Sequence, residues 1–458
     1  MFFVFRMLFA LILTGWIGHP CMSRAETIIL SATTTTSAEF PEAVAESLAR
    51  MAKSPGESHR LIIQGSFAPS ATTKIHWWGK GDLTVSGMAL LDGSQLPHEA
   101  ETLFMAGRNL TLKKCRFVNS QGHAVIVGGR SDRYAIEGCS FEDCQQSAIH
   151  VWNDPHAIRV ERHQRGIISG NRIKRFNLKK AKWRNDAITV FDQGVTISRN
   201  FISDSPTECN GIRAMGRDNV IERNVIKNVS RDDAGGIYLW GGPHASLFRG
   251  NIVRWNHIIG ASRGIYLDDG TSGTKVQENV VQGSSFCAIF IGGGRSNMVQ
   301  RNVIDRAPVF VHIDSRCLGW DSRPDYAGIA GESVRRLREA RMDPAGAKIL
   351  QERYPDLQQI TKEGLTMKVC GRPEANLVRK NFVRSVERNW ELMDFSAAIQ
   401  TDFRALNKLS EPNVIEQDED LLQVSLRARF GFQAWDRLEQ VLSEALPDLP
   451  KIVPDHSQ

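Results

Sequence analysis

The segment 264–316 contains three stretches of the same form: GIYLDDGTSG at 264–273, AIFIGGGRSN at 288–297 and VFVHIDSR at 309–316. Each alternates apolar and polar residues and then enters a turn rich in Gly, Asp or Arg. The aligned residues Ile265, Ile289 and Val311 lie 24 and 22 residues apart. Units of this length that each have one apolar face cannot bury it alone and must stack. The segment therefore predicts three successive coils of a parallel β-helix whose outer face holds the candidate site.

Related units recur over most of the chain from residue 110. One series of strand-like stretches, such as GIISGNRI and VTISRNFI, has an Asn in a fixed position, and Cys115 and Cys139 hold that position earlier. The Asn residues aligned in this way are Asn171, Asn200, Asn224, Asn251, Asn279, Asn302 and Asn381. An Asn at a fixed turn position predicts a ladder in which each side-chain amide hydrogen-bonds to the next coil. Asn also tolerates the backbone angles of the bend.

A second series of stretches follows the first: AVIVG, AIHVW, AITVF, GIRAM, GIYLW, GIYLD, AIFIG and FVHID. Two strands and a third short edge within roughly two dozen residues are typical of a right-handed parallel β-helix. A β-propeller would need longer blades joined by hairpin turns, which the sequence does not show. The fold class predicted is therefore all-β, a right-handed parallel β-helix.

The first 25 of the 458 residues have the form of a secretory signal peptide. Arg6 precedes an apolar run from Met7 to Ile17, and Ser23-Arg24-Ala25 is an acceptable cleavage site. The run is too short for a stable membrane span, although an uncleaved anchor is the alternative. The mature protein is expected to begin near Glu26, to be secreted or periplasmic, and to have no membrane association after cleavage.

We expect residues 26–458 to form a single β-helix domain. Residues 26–109 would hold an N-terminal cap, with a helix over 40–53, and the first coils. Regular coils would fill 110–316, and a helical insertion 317–372 would form one wall of a groove. The last coils and a C-terminal helix at 432–446 would fill 373–458. The basic stretch 172–184 is predicted to be a loop, either solvated or part of an anion-binding groove.

The cysteines and the charge set further limits. Cleavage of the signal would leave seven cysteines, of which Cys115, Cys139 and Cys287 lie in apolar runs and are expected to be reduced core residues. Cys317 and Cys370 flank the insertion and could pin its ends together. No Cys/His spacing suggests a metal, and no cofactor or nucleic-acid partner is predicted. A net charge of +6 fits an acidic partner such as a uronate-containing glycan, or an ordinary surface.

Strand alternation predicts which side chains lie on the outer face of the second series. Two outward columns result. The first reads Ile126, His150, Thr189, Arg213, Tyr238, Tyr266, Phe290 and His312, and the second reads Gly128, Trp152, Phe191, Met215, Trp240, Asp268, Gly292 and Asp314. Aromatic, cationic and carboxylate side chains on one exposed face are typical of a sugar-binding surface.

Asp268 and Asp314 fall in one column two coils apart, with Gly292 leaving space between them. Parallel strands lie about 4.7–4.9 Å apart, so the carboxylates should be about 9–10 Å apart. Inverting glycoside hydrolysis uses a separation of about 6.5–9.5 Å, which admits a water molecule. The pair is therefore the candidate acid and base, in an order that the sequence does not assign. The alternative is that these Asp and Gly residues are only turn formers.

Other polar and aromatic residues near this pair complete the candidate site. Asp269 and Asp233 would tune the catalytic carboxylates, because close carboxylates raise one another's pKa. Tyr238, Trp240 and Tyr266 would line sugar subsites. Cationic groups would hold substrate charge, and these are Arg295, His312, Arg316 and Arg213.

The motifs DDAGGIYLW (232–240), GIYLDDGTSG, IGGGRSN, HIDSRCLGW (312–320) and RYPDL (353–357) together resemble those of the pectate-lyase-like right-handed β-helix proteins. Within that superfamily, the chain is most similar to the branch of β-helix glycoside hydrolases, with α-L-fucosidase and xylanase members. The resemblance implies glycoside hydrolysis but does not identify the substrate. Matching motif positions are Asp233, Asp268, Asp269, Arg295, Asp314 and Arg316, and Cys317 departs from the Gly expected there.

Two other functions remain open. Asn153-Asp154-Pro155-His156 resembles the Asp-Pro-His-Asp motif of alginate epimerases, with Ala157 in place of the final Asp. A lyase or C5-epimerase acting on uronate polymers would need a base such as His156, His150 or a Lys, with Arg213 neutralising the uronate. A non-catalytic glycan-binding solenoid could use the same face. The paired carboxylates favour a secreted glycosidase that acts on an acidic or branched polysaccharide.

Overall fold

The structure is a computed structural model that describes residues 26–31, 46, 48, 49, 51, 58–67, 75–86, 89–129, 131–153, 166–179, 185–206, 208–229, 233–245, 247–316, 324–355, 357, 373–393, 408–409 and 413–414. The predicted signal peptide and C-terminal helix lie outside these residues, as do Cys317 and Cys370. Of the predicted N-terminal helix, residues 46, 48, 49 and 51 are described and helical, with Leu48 and Met51 buried in the core.

Nearly all the regular structure is β-strand. The strands are β1 Glu26–Ser31, β2 Ser58–Phe67, β3 Ile75–Ser86, β4 Ala89–Asp92, β5 Leu103–Lys113, β6 Arg116–Val118, β7 Val125–Val127, β8 Asp132–Glu137, β9 Ser140–Glu142, β10 Ile149–Trp152, β11 Gly166–Ser169, β12 Arg172–Lys174, β13 Ile188–Phe191, β14 Val195–Ser198, β15 Phe201–Ser203, β16 Ile212–Met215, β17 Val220–Glu222, β18 Val225–Lys227, β19 Gly235–Trp240, β20 Ile252–Arg254, β21 His257–Ile259, β22 Arg263–Asp268, β23 Lys275–Gln277, β24 Val280–Gln282, β25 Cys287–Gly292, β26 Met298–Gln300, β27 Val303–Asp314, β28 Leu377–Arg379, β29 Phe382–Met393, β30 Lys408–Leu409 and β31 Asn413–Val414. Two α-helices, α1 Pro324–Met342 and α2 Pro344–Arg353, and two 3₁₀ turns, Gly93–Gln95 and Gly242–His244, complete the described elements.

The strands stack into three parallel sheets, and each coil of the chain visits them in the same order. Sheet A contains β7, β10, β13, β16, β19, β22 and β25, followed by the C-terminal halves of β27 and β29. Sheet B runs through β8, β11, β14, β17, β20, β23, β26 and β28. Sheet C runs through β9, β12, β15, β18, β21 and β24 to the N-terminal halves of β27 and β29. The predicted right-handed parallel β-helix is therefore confirmed.

The apolar faces of the coils form one continuous core. On sheet A, the inward position holds Ile149, Ile188, Ile212, Ile237, Ile265, Ile289 and Val311, all of which are fully buried. The strand register also confirms both predicted outward columns, since His150 pairs with Thr189, Tyr238 with Tyr266, and Gly292 with Asp314. Because side chains alternate along a strand, fixing the inward residues fixes the outward ones.

A ladder of Asn side chains joins the coils at the turn between sheets B and C. It runs Asn171, Asn200, Asn224, Asn256, Asn279, Asn302 and Asn381, and each Oδ1 accepts from the backbone and side-chain amides of the preceding Asn. The prediction of a ladder is confirmed, but the assignment of Asn251 to it is wrong.

Asn251 belongs instead to a second ladder, at the turn between sheets A and B. It accepts from the backbone of Asn219 at 3.0 Å, and further along the same turn Asn297 accepts from Thr274 at 3.0 Å. The sequence offers two Asn residues in this coil, in RGNIV and RWNHI, and only the strand pairing distinguishes them.

The tight bend of the B–C turn falls on the residue before each ladder position, not on the Asn itself. Residues there have φ values of 53–58° and are Lys114, Arg199, Arg223, Trp255, Glu278, Arg301 and Lys380, while Gly138 and Gly170 have φ values of 63° and 66°. This left-handed conformation costs a non-glycine residue free energy, and its recurrence in successive coils shows that the stacked hydrogen bonds impose it.

The predicted helical insertion is confirmed by α1 and α2, which pack against each other outside the coil. The predicted loop 172–184 is partly wrong, because Arg172–Lys174 is strand β12 of sheet C. Arg175 then pairs with Glu142 and Asp143 at 2.6 Å each. Cys115, Cys139 and Cys287 are buried and free of disulfides, as expected. In the described part of the chain, no helix is long and apolar enough to cross a membrane.

We predict that Asn256→Ala lowers the free energy of unfolding by about 3 kcal/mol, because buried donors of Asn224 and the buried carbonyl of Ile221 lose their partner. Denaturant unfolding measures the change. Gln121→Ala is the control, since that side chain makes an exposed hydrogen bond and should change stability by less than about 0.5 kcal/mol. Equal effects of the two substitutions would contradict a stabilising role for the ladder.

Candidate functional site

The candidate site lies at the C-terminal ends of three strands of sheet A. Strand β22 ends at Asp268 and is followed by Asp269, whose φ of 42° turns the chain sharply into Gly270. Strand β27 ends at Asp314, and Arg316 follows two residues later. Because parallel strands stack in register, residues far apart in sequence meet at this edge.

Arg316 is the centre of the site and binds three carboxylates. Its Nη2 donates to Asp268 Oδ1 at 2.7 Å, its Nε to Asp269 Oδ1 at 2.9 Å and its Nη1 to Asp314 Oδ1 at 2.6 Å. All four side chains are at least 87% buried, with Asp268 the most exposed at 13%. A planar guanidinium with five donors can hold several carboxylates at once, whereas a lysine ammonium could not match this geometry.

The space between Asp268 and Asp314 is filled by Arg316. A Cβ atom at Gly292 would lie 2.5 Å from Arg316 Nη2 and 3.2 Å from Asp268 Oδ1. The prediction that Gly292 leaves room is therefore correct, but the room holds a guanidinium where a water molecule was expected. The sequence missed this because Arg316 lies beyond the end of its strand, where alternation no longer fixes direction.

Two aromatic side chains also donate hydrogen bonds to these carboxylates. Tyr238 donates its hydroxyl to Asp268 Oδ2 at 2.8 Å, and Trp240 donates its indole N–H to Asp269 Oδ2 at 2.7 Å. Asp268 Oδ1 also accepts from the backbone N–H of Asp269 at 2.8 Å. Asp268 therefore accepts from a hydroxyl, a guanidinium and a backbone N–H, which together fix the positions of both its oxygens.

The two adjacent carboxyls differ in their electrostatic setting. Burial, and then the negative charge of Asp268, raises the pKa of Asp269 to about 6, although Arg316 and Trp240 act in the opposite direction. Burial alone would lower the pKa of Arg316, but the charges of Asp314 and Asp268 outweigh it and hold that pKa well above its usual value. Burial and the charge of Asp268 likewise raise the pKa of Tyr238.

The aromatic column beside the carboxylates is less exposed than predicted. Tyr266, Phe290 and His312 are only 2–5% exposed, although they lie on the outer face of sheet A. Tyr266 and Phe290 have ring centroids 4.6 Å apart, and Phe290 stacks on His312 at 4.2 Å. Bulky rings on strands this close cover one another. Tyr266 and His312 therefore support the site from behind, with His312 Nε2 at 4.0 Å from Asp314 Oδ2.

The other predicted residues have different partners. Asp233 is half exposed and pairs with Arg263 at 3.1 Å. Arg213 lies 2.8 Å from Asp186 and 5.0 Å above the ring of Tyr238. Arg295 forms a buried ion pair with Glu374, a residue for which the sequence offers no signal, since it follows the insertion 79 residues later.

The insertion covers part of the outer face of sheet A. Leu337 of α1 and Leu350 of α2 belong to an apolar cluster that also contains Met215, with Trp240 and Phe191 packed against it. Tyr354 donates to Asp218 at 2.9 Å and fixes the end of α2 to the coil. The cluster therefore places a wall beside the carboxylates, as the sequence predicted.

In the described residues, no group of three or more His, Cys, Asp or Glu side chains is arranged to hold a metal ion. The three carboxylates of the site converge on a guanidinium that already supplies the positive charge.

Comparison with known proteins agrees with the fold. Residues 101–304 match the family model described as "Right handed beta helix region". The match and the three stacked sheets give the chain a right-handed parallel β-helix fold, which is the fold that the motif resemblance implied. The narrower glycoside hydrolase branch stays a prediction. No curated protein matches the chain significantly.

Several solved structures are similar at low identity. Endopolygalacturonase I from Stereum purpureum is 9% identical, with coverage of 85% of this chain and 100% of that one and a TM-score of 0.48. A variant of the periplasmic alginate epimerase AlgG is 12% identical, with coverages of 79% and 77% and a TM-score of 0.43. The A-module of an Azotobacter vinelandii mannuronan C-5 epimerase is 11% identical, with coverages of 83% and 94% and a TM-score of 0.42. Similarities of this size do not bear on activity.

We predict that Arg316→Met lowers the free energy of unfolding by about 3–5 kcal/mol at pH 7, because it leaves three buried carboxylates without their cation. The loss should be smaller at pH 5, where protonation relieves the repulsion among them. Denaturant unfolding at both pH values tests this. The exposed pair of Arg116 and Glu142 provides the control, and Arg116→Met should cost less than about 1 kcal/mol at either pH. A pH-independent loss in Arg316→Met would contradict the electrostatic account.

Proposed function

We propose that this protein is a secreted or periplasmic carbohydrate-active enzyme that hydrolyses glycosidic bonds in an acidic or branched polysaccharide. The observation that carries the proposal is the pair of adjacent carboxyls at one strand end. Asp268 accepts hydrogen bonds from Tyr238, Arg316 and the backbone N–H of Asp269, and Asp269 has a pKa raised to about 6. Glycoside hydrolysis uses one carboxyl group as proton donor and a second, ionised one as base or nucleophile.

Asp269 is the proposed proton donor. A carboxyl with a pKa near 6 retains its proton at mildly acidic pH and can give it to the oxygen of a leaving sugar. Trp240 and Arg316 fix its two oxygens, so that the proton would be delivered from a defined position.

Asp268 is the proposed base or nucleophile. It is the more exposed of the two carboxylates that flank Gly292, at 13% against 3% for Asp314. Asp314 is accordingly assigned to holding Arg316 in place. This revises the expected Asp268–Asp314 pair, because Arg316 fills the gap that a water molecule would need.

The surroundings suit a polymeric substrate. The wall made by α1 and α2 borders the site on one side, and Tyr238 and Trp240 remain partly exposed beside the carboxylates. Arg213, which is 13% exposed on the same face, supplies a cation for an acidic sugar. A groove with aromatic and cationic sides can hold successive sugar rings.

We predict that Asp269→Asn lowers the rate of release of reducing ends by about 100-fold or more, because it removes the proton donor while keeping the shape of the side chain. The assay uses pectic, alginate and xylan polysaccharides and follows reducing ends and ultraviolet absorbance together. Asp132→Asn is the matched control on the surface and should retain full activity. Absorbance from unsaturated products would show a lyase and overturn the proposal. Conversion of the uronate without new ends would indicate an epimerase.

The pH dependence follows from the same group. Since Asp269 must be protonated to act as donor, kcat should fall about tenfold per pH unit above about pH 6. Stability gives an independent readout. The folded state binds this proton more tightly than the unfolded state, so Asp269 lowers the free energy of unfolding as the pH rises from 3.8 to about 6. Asp269→Asn should remove that slope. A kcat that stays flat to pH 8 would exclude Asp269 as the donor.

A further inference from the structure

A second aromatic patch lies on the outer face of sheet A, toward the N-terminal end of the coil. We name it the N-terminal ring patch, and it contains His123, His150, Trp152 and Phe191. Trp152 is 59% exposed, and among the described residues the other large hydrophobic side chain with high exposure is Met342. The ring centroids of Trp152 and Phe191 are 4.7 Å apart, and those of His123 and His150 are 4.4 Å apart.

The backbone beneath Trp152 is rigid. Asn153, the next residue, donates its backbone N–H to Phe191 at 3.0 Å and its side-chain amide to Asp192 at 2.7 Å and to the Ser131 carbonyl at 3.0 Å. Its Oδ1 accepts from the Ser131 N–H at 2.9 Å. The indole is thus exposed on a fixed support, and a fixed ring binds a ligand with little loss of conformational entropy.

The patch carries little charge at neutral pH. Burial lowers the pKa of His123 to about 4, and burial together with His123 and Arg213 lowers that of His150 to about 3. Both imidazoles are therefore neutral rings. A flat, uncharged aromatic surface fits the apolar face of a pyranose better than it fits an ion.

The patch and the carboxylates lie on the same sheet, four strand spacings apart from β10 to β22. That separation is about 19 Å, and a pyranose unit is about as long as one spacing, so that about four units would join the two. Met215 lies in the same outward column as Trp152, and the insertion buries it. A polymer therefore cannot follow that column from Trp152 to the carboxylates. In the neighbouring column Thr189 is buried, and Arg213 and Tyr238 beyond it are partly exposed.

We propose that the N-terminal ring patch is a remote sugar-binding subsite, in which the indole of Trp152 stacks on a pyranose of the polysaccharide about four units from the carboxylates. The substrate class rests on the proposed function, but binding at this subsite does not require catalysis. The subsite favours long chains over short ones and orients the polymer toward Arg213 and Tyr238, which are partly exposed between the patch and the carboxylates.

The test compares binding of oligomers of different length to the full chain carrying Asp269→Asn. Oligogalacturonides and xylo-oligosaccharides of about two to about eight units serve as probes, with isothermal titration calorimetry as the measurement. Affinity should rise by about tenfold or more once the oligomer spans both sites, and Trp152→Ala should abolish that rise. Trp152→Phe should retain most of it. Met342→Ala, which removes an exposed apolar side chain elsewhere, is the control and should change nothing.

The outcomes separate this inference from the proposed function. If affinity rises in a Trp152-dependent way but the unsubstituted chain hydrolyses none of the polymers, the proposed function is wrong and the subsite is supported. Hydrolysis with no effect of Trp152→Ala on length dependence would do the reverse. Absence of any length-dependent rise in both probe series would overturn the subsite. So would a change from dimer to monomer on Trp152→Ala in sedimentation experiments without an effect on sugars, since the patch would then join two copies of the chain.

Discussion

The stacking of coils at the spacing of parallel strands is the constraint on which the rest of this protein depends. Each coil has one apolar face and unpaired backbone groups on both edges, so it is stable only between two neighbours. The Asn ladders add side-chain hydrogen bonds in register with the strands, from Asn171 to Asn381. They also hold left-handed residues such as Arg223 and Trp255 in a conformation that isolated chains avoid. Register is therefore fixed by side chains at the A–B and B–C turns of the coil.

Fixed register makes a functional surface from residues that are far apart in the sequence. Asp268 and Asp314 lie on one edge because their strands stack on either side of the strand that ends at Gly292, and Arg316 joins them through the gap at Gly292. Without the guanidinium, three carboxylates could not remain together in a buried position, since the desolvation of each would be uncompensated. The cluster of Arg316 with its three carboxylates therefore both stabilises the fold and shapes the candidate site. It holds the strand ends in place and leaves Asp269 with a raised pKa.

The insertion turns an open side of the coil into a bordered groove. Its helices contribute Leu337 and Leu350, which bury Met215 on the outer face of sheet A. In the proposed function, the polymer would lie on the side of the site where Arg213 and Tyr238 are partly exposed. The aromatic rings near the carboxylates and those of the N-terminal ring patch differ in exposure. Tyr266 and His312 are buried behind the carboxylates, whereas Trp152 is exposed to solvent. Exposure, and not residue type, distinguishes the two roles.

The sequence by itself determined the fold class, the two outward columns and the position of the helical insertion, because alternation and repeat length depend only on local order. It also predicted that Asp268, Asp269 and Asp314 would converge, since in-register stacking places the ends of successive strands together, but it added Asp233, which pairs with Arg263. It did not distinguish Asn251 from Asn256, because each directly precedes a short apolar stretch of similar sequence. It placed Arg295 beside the substrate, whereas the fold pairs it with Glu374. Only the tertiary structure decided that Arg316 fills the space at Gly292 and that Tyr266 is buried, because side chains beyond a strand end, and rings stacked across coils, take positions set by their neighbours in space.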